Sequence, residues 1–94
     1  MDNNFDNYNV NMQDDFMSTI ASHVLAYIER VVKGDITVEY SGMVLLITIE
    51  NNGYSFYNEV DLSTGLYSKN DLSAGIARWI IKIYREKVLA IFFK

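Results

Sequence analysis

The dipeptide Asn52-Gly53, flanked by two runs of apolar and aromatic residues, is the feature that most constrains the fold of this chain. Asn-Gly adopts the two positive φ angles of a tight hairpin turn more readily than most pairs. The run before it, 43–50, reads MVLLITIE, and the run after it, 54–61, reads YSFYNEVD. The sequence therefore predicts an antiparallel hairpin in which residues equidistant from the turn lie opposite each other.

A third run, 35–40 (DITVEY), alternates apolar and polar side chains, which is typical of a strand with one buried face. Ser41-Gly42 follows it and allows a second two-residue turn, because glycine accepts the positive φ that such turns require. This turn would put Val38 opposite Leu45 on the central strand. Together the three runs predict a three-stranded antiparallel meander.

The N-terminal third carries the pattern of an amphipathic helix. Its apolar side chains recur every three or four residues at Met17, Ile20, Val24, Ile28 and Val31. We expect this helix to start between Asn11 and Asp15 and to end at Gly34, since glycine favours the left-handed conformation after a helix. The polar residues before it, 1–12, are expected to form a flexible arm, and 13–94 a single domain.

The C-terminal third carries a second helical pattern, with capping residues at Asn70 or Asp71. Its apolar stripe consists of Leu72, Ile76, Trp79, Ile80 and Ile83. The apolar run 88–93 (VLAIFF) either continues this helix or forms a fourth strand, because no turn residue precedes it. The whole pattern predicts an α+β domain of order α-β-β-β-α, with both helices on one face of the meander.

The sheet face turned away from the helices is expected to combine an apolar centre with carboxylates. With two-residue turns, Glu39, Val44 and Asp61 share one row, and Leu46 lies opposite Glu59. Because neighbouring strands are about 4.8 Å apart, Glu39 and Asp61 would lie roughly 10 Å apart. This composition is typical of a recognition surface, although the arm, the C-terminus or a second copy of the chain could also cover it. The predicted partner-binding residues are Glu39, Val44, Leu46, Glu50, Tyr57, Glu59 and Asp61.

Charge is distributed unevenly along the chain. Residues 1–62 carry ten Asp or Glu against two basic residues, whereas residues 63–94 carry six Lys or Arg against two acidic residues. Either the two parts screen each other in the folded chain, or each presents a surface to a partner of opposite sign. The alternative function is therefore a homodimeric nucleic-acid-binding or regulatory protein. Its candidate phosphate-binding residues are Lys69, Arg78, Lys82 and Arg85.

Catalytic and metal-binding patterns are not found in the sequence. His23 is the lone histidine, and its neighbours at helical spacing are polar, which is typical of a solvated side chain. Asp2, Asn4 and Asp6 alternate as in a calcium loop, but Asn7 stands where such a loop requires glycine. We therefore expect no enzymatic activity, no cofactor and no metal.

The chain has no cysteine, no run of roughly 18 apolar residues and no basic, apolar leader at its N-terminus. The absence of cysteine excludes disulfides and thiolate metal sites. These features favour a cytoplasmic protein without membrane contact.

The strands resemble those of small phage-encoded anti-CRISPR proteins, which inhibit type II RNA-guided nucleases. The resemblance rests on GDITVEYSG followed by LLITIENNGYSF, within residues 34–57, about a quarter of the chain. It implies an acidic inhibitor with a helix, a three-stranded antiparallel sheet and a C-terminal helical part. It also implies that sheet carboxylates occupy a basic DNA-binding groove in place of phosphates. The residues that match this role by position are Glu39, Glu50, Glu59 and Asp61. We therefore expect a non-enzymatic phage or mobile-element inhibitor that blocks a host nucleic-acid enzyme in the host cytoplasm.

Overall fold

The computed structural model describes residues 3–64 and 72–92, and for 3–13, 64 and 92 it describes the backbone only. The described elements are helix α1 (Asn3–Val31), strands β1 (Asp35–Ser41), β2 (Val44–Asn51) and β3 (Tyr54–Asp61), a 3-10 turn (Leu62–Thr64) and helix α2 (Leu72–Phe92). The three strands form one antiparallel sheet in the order β1-β2-β3. The predicted α+β fold of order α-β-β-β-α is confirmed.

The second hairpin is confirmed in its turn and in its register. Asn52 and Gly53 have φ angles of 52° and 81°, as a type I′ turn requires. Leu45 lies opposite Val60, as the two-residue loop predicts.

The first hairpin differs from the prediction because its turn lies one residue later. Ser41 pairs with Val44, so the loop residues are Gly42 and Met43. Gly42 has a φ of 58° and occupies the first loop position, where a type II′ turn needs positive φ. The register therefore moves by two residues, and Val38 lies opposite Ile47 instead of Leu45. A shift of two leaves every side chain on its predicted face.

Both helices pack on one face of the sheet and share one apolar core with it, as predicted. In β2, Leu45, Ile47 and Ile49 are fully buried and alternate with partly buried residues. Burial of such side chains stabilises the fold by roughly 1.5–3 kcal/mol each. Phe56 of β3 meets Tyr84 of α2 edge to face, with ring centroids 5.6 Å apart, which anchors α2 on the sheet. The core residues of the helices are Met17, Ile20, Ala21, Val24, Ile28, Leu72, Ile76, Ala77, Ile80, Ile81 and Tyr84.

The start of α1 at Asn3 is earlier than predicted, and the predicted start between Asn11 and Asp15 is wrong. Asp14, which lies within the predicted start, accepts a hydrogen bond of 2.7 Å from the Tyr40 hydroxyl. The α-helix ends at Val31, three residues before Gly34, and Val31 is 49% exposed although its spacing predicted burial. The flexible arm at 1–12 and the domain at 13–94 stay predictions.

Helix α2 continues to Phe92, so the run 88–93 is helical as far as the structure describes it, and no fourth strand forms from 88–92. The predicted caps Asn70 and Asp71 lie outside the described residues. Trp79 was expected in the buried stripe but is 47% exposed. The buried arc of α2 is turned towards the side of Ile81 and Tyr84, because α2 packs on α1 as well as on β3.

Candidate functional site

The sheet presents a strongly acidic surface on the side away from the helices. Alternation along each strand gives this face four residues from each strand. Five of the twelve are Asp or Glu, and none is Lys or Arg. We call this surface the acidic sheet face; it consists of Asp35, Thr37, Glu39, Ser41, Val44, Leu46, Thr48, Glu50, Ser55, Tyr57, Glu59 and Asp61. All seven predicted partner-binding residues lie on it.

The register of the first hairpin changes which of these residues are neighbours. Glu39 lies opposite Leu46, and Leu46 lies opposite Glu59, so these three share a row. The predicted row of Glu39, Val44 and Asp61 is wrong, because Val44 instead pairs with Ser41 on its other side. Two strand spacings separate Glu39 from Glu59, which puts these carboxylates roughly 10 Å apart with Leu46 between them.

The centre of the acidic sheet face is apolar and partly open to solvent. Val44 and Leu46 are each partly buried, and the Tyr57 side chain is 55% exposed. Tyrosine is one of the residue types that contribute most to the energy of protein interfaces, and apolar neighbours such as these help to exclude water around it. The described helices lie on the opposite face of the sheet.

Tyr57 is held in place by its neighbour along β3. Its hydroxyl donates a hydrogen bond of 2.6 Å to Oε2 of Glu59. This bond, more than desolvation or the nearby charge, raises the pKa of the Tyr57 hydroxyl above its ordinary value. The ring is thereby pre-positioned on the sheet, so less side-chain entropy would be lost if a partner packed on it.

Asp61 forms a fixed negative charge at the end of β3. The Ser63 hydroxyl and the Ser63 backbone N–H donate hydrogen bonds of 2.6 and 2.9 Å to its Oδ1. These donors, the hydroxyl first, lower the pKa of the Asp61 carboxyl. The turn that carries Ser63 is tied to the first hairpin, because the Leu62 N–H donates a bond of 2.8 Å to the Met43 carbonyl.

Two like charges lie directly opposite each other at the other end of the face. Asp35 and Glu50 are cross-strand partners and both are exposed. They border an open depression of about 330 Å³ that the second hairpin turn also lines. Like charges in this arrangement destabilise a sheet, so a cationic group bound here would relieve the repulsion.

A second surface of opposite charge lies on the outside of the helical layer. Arg78, Lys82 and Arg85 are all exposed on α2, while Lys69 lies outside the described residues. They border a groove of about 480 Å³ between α2 and the end of α1. We call it the basic groove; it is lined by Val31, Arg78, Ile81, Lys82, Arg85, Glu86 and Leu89.

Sequence reasoning missed the apolar residues of the basic groove. Val31 was assigned to the core stripe of α1, and Leu89 belonged to a run whose structure was left open. Both are about half exposed. Val31 continues the three-residue spacing after Ile28, but it is the last residue of α1, and only the packing of α2 decides whether it is covered.

Metal and membrane features are not found in the part of the chain that the structure describes. Among the residues whose side chains the structure describes, 14–63 and 72–91, no three His, Asp or Glu come together as ligands for a metal ion. Neither described helix offers an apolar stretch long enough to span a bilayer. His23 is exposed on α1.

Comparison of the chain with family models, with curated proteins and with solved structures gave no match. The resemblance to anti-CRISPR proteins therefore stays a prediction.

Proposed function

We propose that this protein is a non-enzymatic binding module, an anti-CRISPR-like phage or mobile-element inhibitor that covers the basic groove of a host nucleic-acid enzyme with its acidic sheet face. One observation carries the proposal: the face combines five carboxylates, no cation and an apolar centre. Its site of action would be the cytoplasm of the host cell.

The spacing of the carboxylates suits a surface that ordinarily holds nucleic acid. Glu59 and Asp61 lie two residues apart on the same side of β3, which is about 6.7 Å along the strand. The rise of about 3.4 Å per nucleotide is measured along the DNA axis, and because the backbone winds around that axis, neighbouring phosphates lie farther apart than this rise, so the two carboxylates correspond roughly to adjacent phosphates of one strand. Glu39 adds a third charge across the sheet.

Charge and apolar contacts would act at different stages of binding. The carboxylates steer the protein towards a basic surface and fix its orientation. Val44, Leu46 and Tyr57 then supply contacts from which water is excluded. Bringing a Lys or Arg of the partner to the Asp35–Glu50 pair would also remove the repulsion between these two carboxylates.

Charge reversal on the corrected row tests the proposal. The variant Glu39→Lys/Glu59→Lys reverses two carboxylates that flank Leu46, and Asp15→Lys/Glu29→Lys makes the same change in net charge on exposed positions of α1. Wild type and both variants serve as bait in nuclease-treated host lysate. We expect wild type and the α1 variant to capture a nucleic-acid enzyme that the sheet variant does not capture. Heparin, as a polyanion, should release the captured enzyme from the bait.

The captured enzyme is then assayed with its nucleic-acid substrate. Addition of wild-type protein should lower its activity, and excess duplex DNA should restore it by competition. Equal capture by the sheet variant, or no captured enzyme in any wild-type experiment, would rule out the proposal. Circular dichroism checks that both variants remain folded.

The alternative function, nucleic-acid binding by a homodimer, is favoured by one observation: Arg78, Lys82 and Arg85 are exposed together on the outer side of α2. Fluorescence anisotropy with duplex and single-stranded probes at several salt concentrations tests it. This function requires that binding weakens steeply as salt is added. The plot of the logarithm of the binding constant against the logarithm of the salt concentration should be shallower for Arg78→Gln/Lys82→Gln, because each lost phosphate contact lowers its slope by about 0.7–0.9. Binding that is absent, or unchanged in the variant, favours the inhibitor.

A further inference from the structure

The acidic sheet face and the basic groove lie on opposite sides of the same small domain. The sheet face is the outer surface of one layer, and the basic groove is on the outer surface of the helical layer. We propose that the basic groove binds the acidic sheet face of a second copy, so that the chain associates head to tail. This inference does not depend on the proposed function, since it uses only the two surfaces of the chain itself.

The two surfaces are complementary in both charge and polarity. The basic groove has an apolar floor of Val31, Ile81 and Leu89 beside three cations and one carboxylate, Glu86. The sheet face has an apolar centre beside five carboxylates. A head-to-tail contact therefore puts apolar atoms against apolar atoms and opposite charges at the rim, the anatomy of specific protein interfaces.

Pairing of identical surfaces is disfavoured by the same charges. In a two-fold contact between sheet faces, each copy would bring five carboxylates and no cation. In a two-fold contact between basic grooves, Arg78, Lys82 and Arg85 of each copy would meet the same three residues. Like charges brought together in this way cost several kcal/mol, so the contact between unlike surfaces is favoured.

The dimensions of the two surfaces also agree. From Arg78 to Leu89 the exposed side of α2 extends over about 16 Å, at 1.5 Å per residue. From Val44 to Glu50 the central strand extends over about 20 Å. A head-to-tail contact leaves one acidic sheet face unbound at one end of the assembly and one basic groove unbound at the other end. Further copies can therefore add, and the assembly grows as an open chain unless it closes into a ring.

Variants that remove charges from only one of the two surfaces test the head-to-tail contact, and we call them capped variants. The sheet-capped variant Glu39→Gln/Glu59→Gln keeps an intact basic groove, and the groove-capped variant Lys82→Gln/Arg85→Gln keeps an intact sheet face. Analytical ultracentrifugation is run at about 20 mM and about 300 mM salt, because screening is weak at the lower concentration and strong at the higher one. For wild type at low salt we expect the average mass to rise with concentration beyond that of a dimer, and to fall when salt is added.

Each capped variant alone should associate at least tenfold more weakly than wild type. An equimolar mixture of the two should form a 1:1 heterodimer that does not grow further, because only one intact sheet face and one intact groove remain in each pair. The proposal is overturned if wild type stays monomeric up to about 1 mM at low salt, where screening is weakest. It is also overturned if wild type stops at a dimer, or if both capped variants associate as wild type does.

The outcome of this test is separate from that of the lysate experiment. Self-association would be read from purified protein, whereas the proposed inhibition is read from a captured enzyme and its activity. Since both contacts use the acidic sheet face, self-association and capture of an enzyme would compete. If the protein self-associates but captures no enzyme, the proposed inhibition fails; if it captures an enzyme but does not self-associate, the head-to-tail proposal fails.

Discussion

The substitution Gly34→Ala should be strongly destabilising although it adds one methyl group to an exposed residue. Gly34 joins α1 to β1 and has a φ of 134°, a conformation that residues with a side chain rarely adopt. A Cβ atom at this position would lie 2.6 Å from the backbone oxygen of Glu50 and 3.1 Å from Cβ of Asn51. The carbonyl cannot move freely, because Glu50 pairs with Asp35 in the sheet.

Two costs determine the size of the effect. The unfavourable φ costs about 1–3 kcal/mol, and relief of the close contact by a backbone shift costs typically 1–3 kcal/mol. We expect the free energy of unfolding to fall by about 3 kcal/mol, a large part of the roughly 5–14 kcal/mol expected for a domain of this size. With a urea m-value of about 1 kcal/mol/M, the midpoint of unfolding should fall by about 3 M.

Gly75→Ala provides the matched control for this urea experiment. Gly75 lies in α2 with ordinary φ, and an added Cβ would meet no atom within 4 Å. Alanine in a helix is favoured over glycine by about 0.5–1 kcal/mol, so this variant should be more stable than wild type. If Gly34→Ala changed the free energy of unfolding by less than about 0.5 kcal/mol, the change expected of an ordinary surface substitution, the conformational argument would be refuted.

Two pH-dependent effects follow from the hydrogen bonds on the acidic sheet face. In the folded state, the hydrogen bond to Glu59 raises the pKa of Tyr57 above 10.0. The stabilisation that this bond gives to the fold is therefore present below pH 10 and is lost as the pH rises through the folded-state pKa. The difference in unfolding free energy between wild type and Tyr57→Phe should therefore shrink in alkali, with one late phenol ionisation missing from the ultraviolet titration of the variant. The folded state lowers the pKa of Asp61 below 3.8, so its stabilisation is present above pH 3.8 and is lost as pH falls through the folded-state pKa. Asp61→Asn should lack this acid-dependent loss in urea titrations, and an identical loss in the variant would contradict the assignment.

The features that sequence reasoning predicted correctly depend on local chemistry. Asn52-Gly53 determines its turn by itself, so the second hairpin and its register follow from two residues. The alternation of Leu45, Ile47 and Ile49 with the residues between them then decides which side of β2 faces the core. Membership of the acidic sheet face was therefore predictable, because a strand has only two faces.

The features that sequence reasoning missed depend on details that turn dipeptides and apolar periodicity do not contain. The first hairpin could close at Ser41-Gly42 or at Gly42-Met43, because Gly42 accepts a positive φ in either turn, and it is the pairing of Ser41 with Val44 that distinguishes the two. The face was therefore predicted correctly, but the neighbours of Glu39 were not. Trp79 fits the helical stripe of α2, yet it is half exposed because α1 covers the other side of that stripe. Such a choice is made by packing between elements, which periodicity within one element does not encode.

The carboxylates of the acidic sheet face could in principle have been neutralised by the cations of α2 within the fold, and the arrangement of the layers argues against this. The acidic strands and the basic helix α2 present their charges on opposite sides of an apolar core. The two shorter dimensions of the molecule are 25 and 21 Å, about two to three times the Debye length of roughly 8–10 Å at physiological salt. Charges on opposite surfaces of the molecule therefore compensate each other little. Each surface therefore keeps its own field, which would attract a partner of opposite sign, whether that partner is the proposed enzyme or a second copy of the chain.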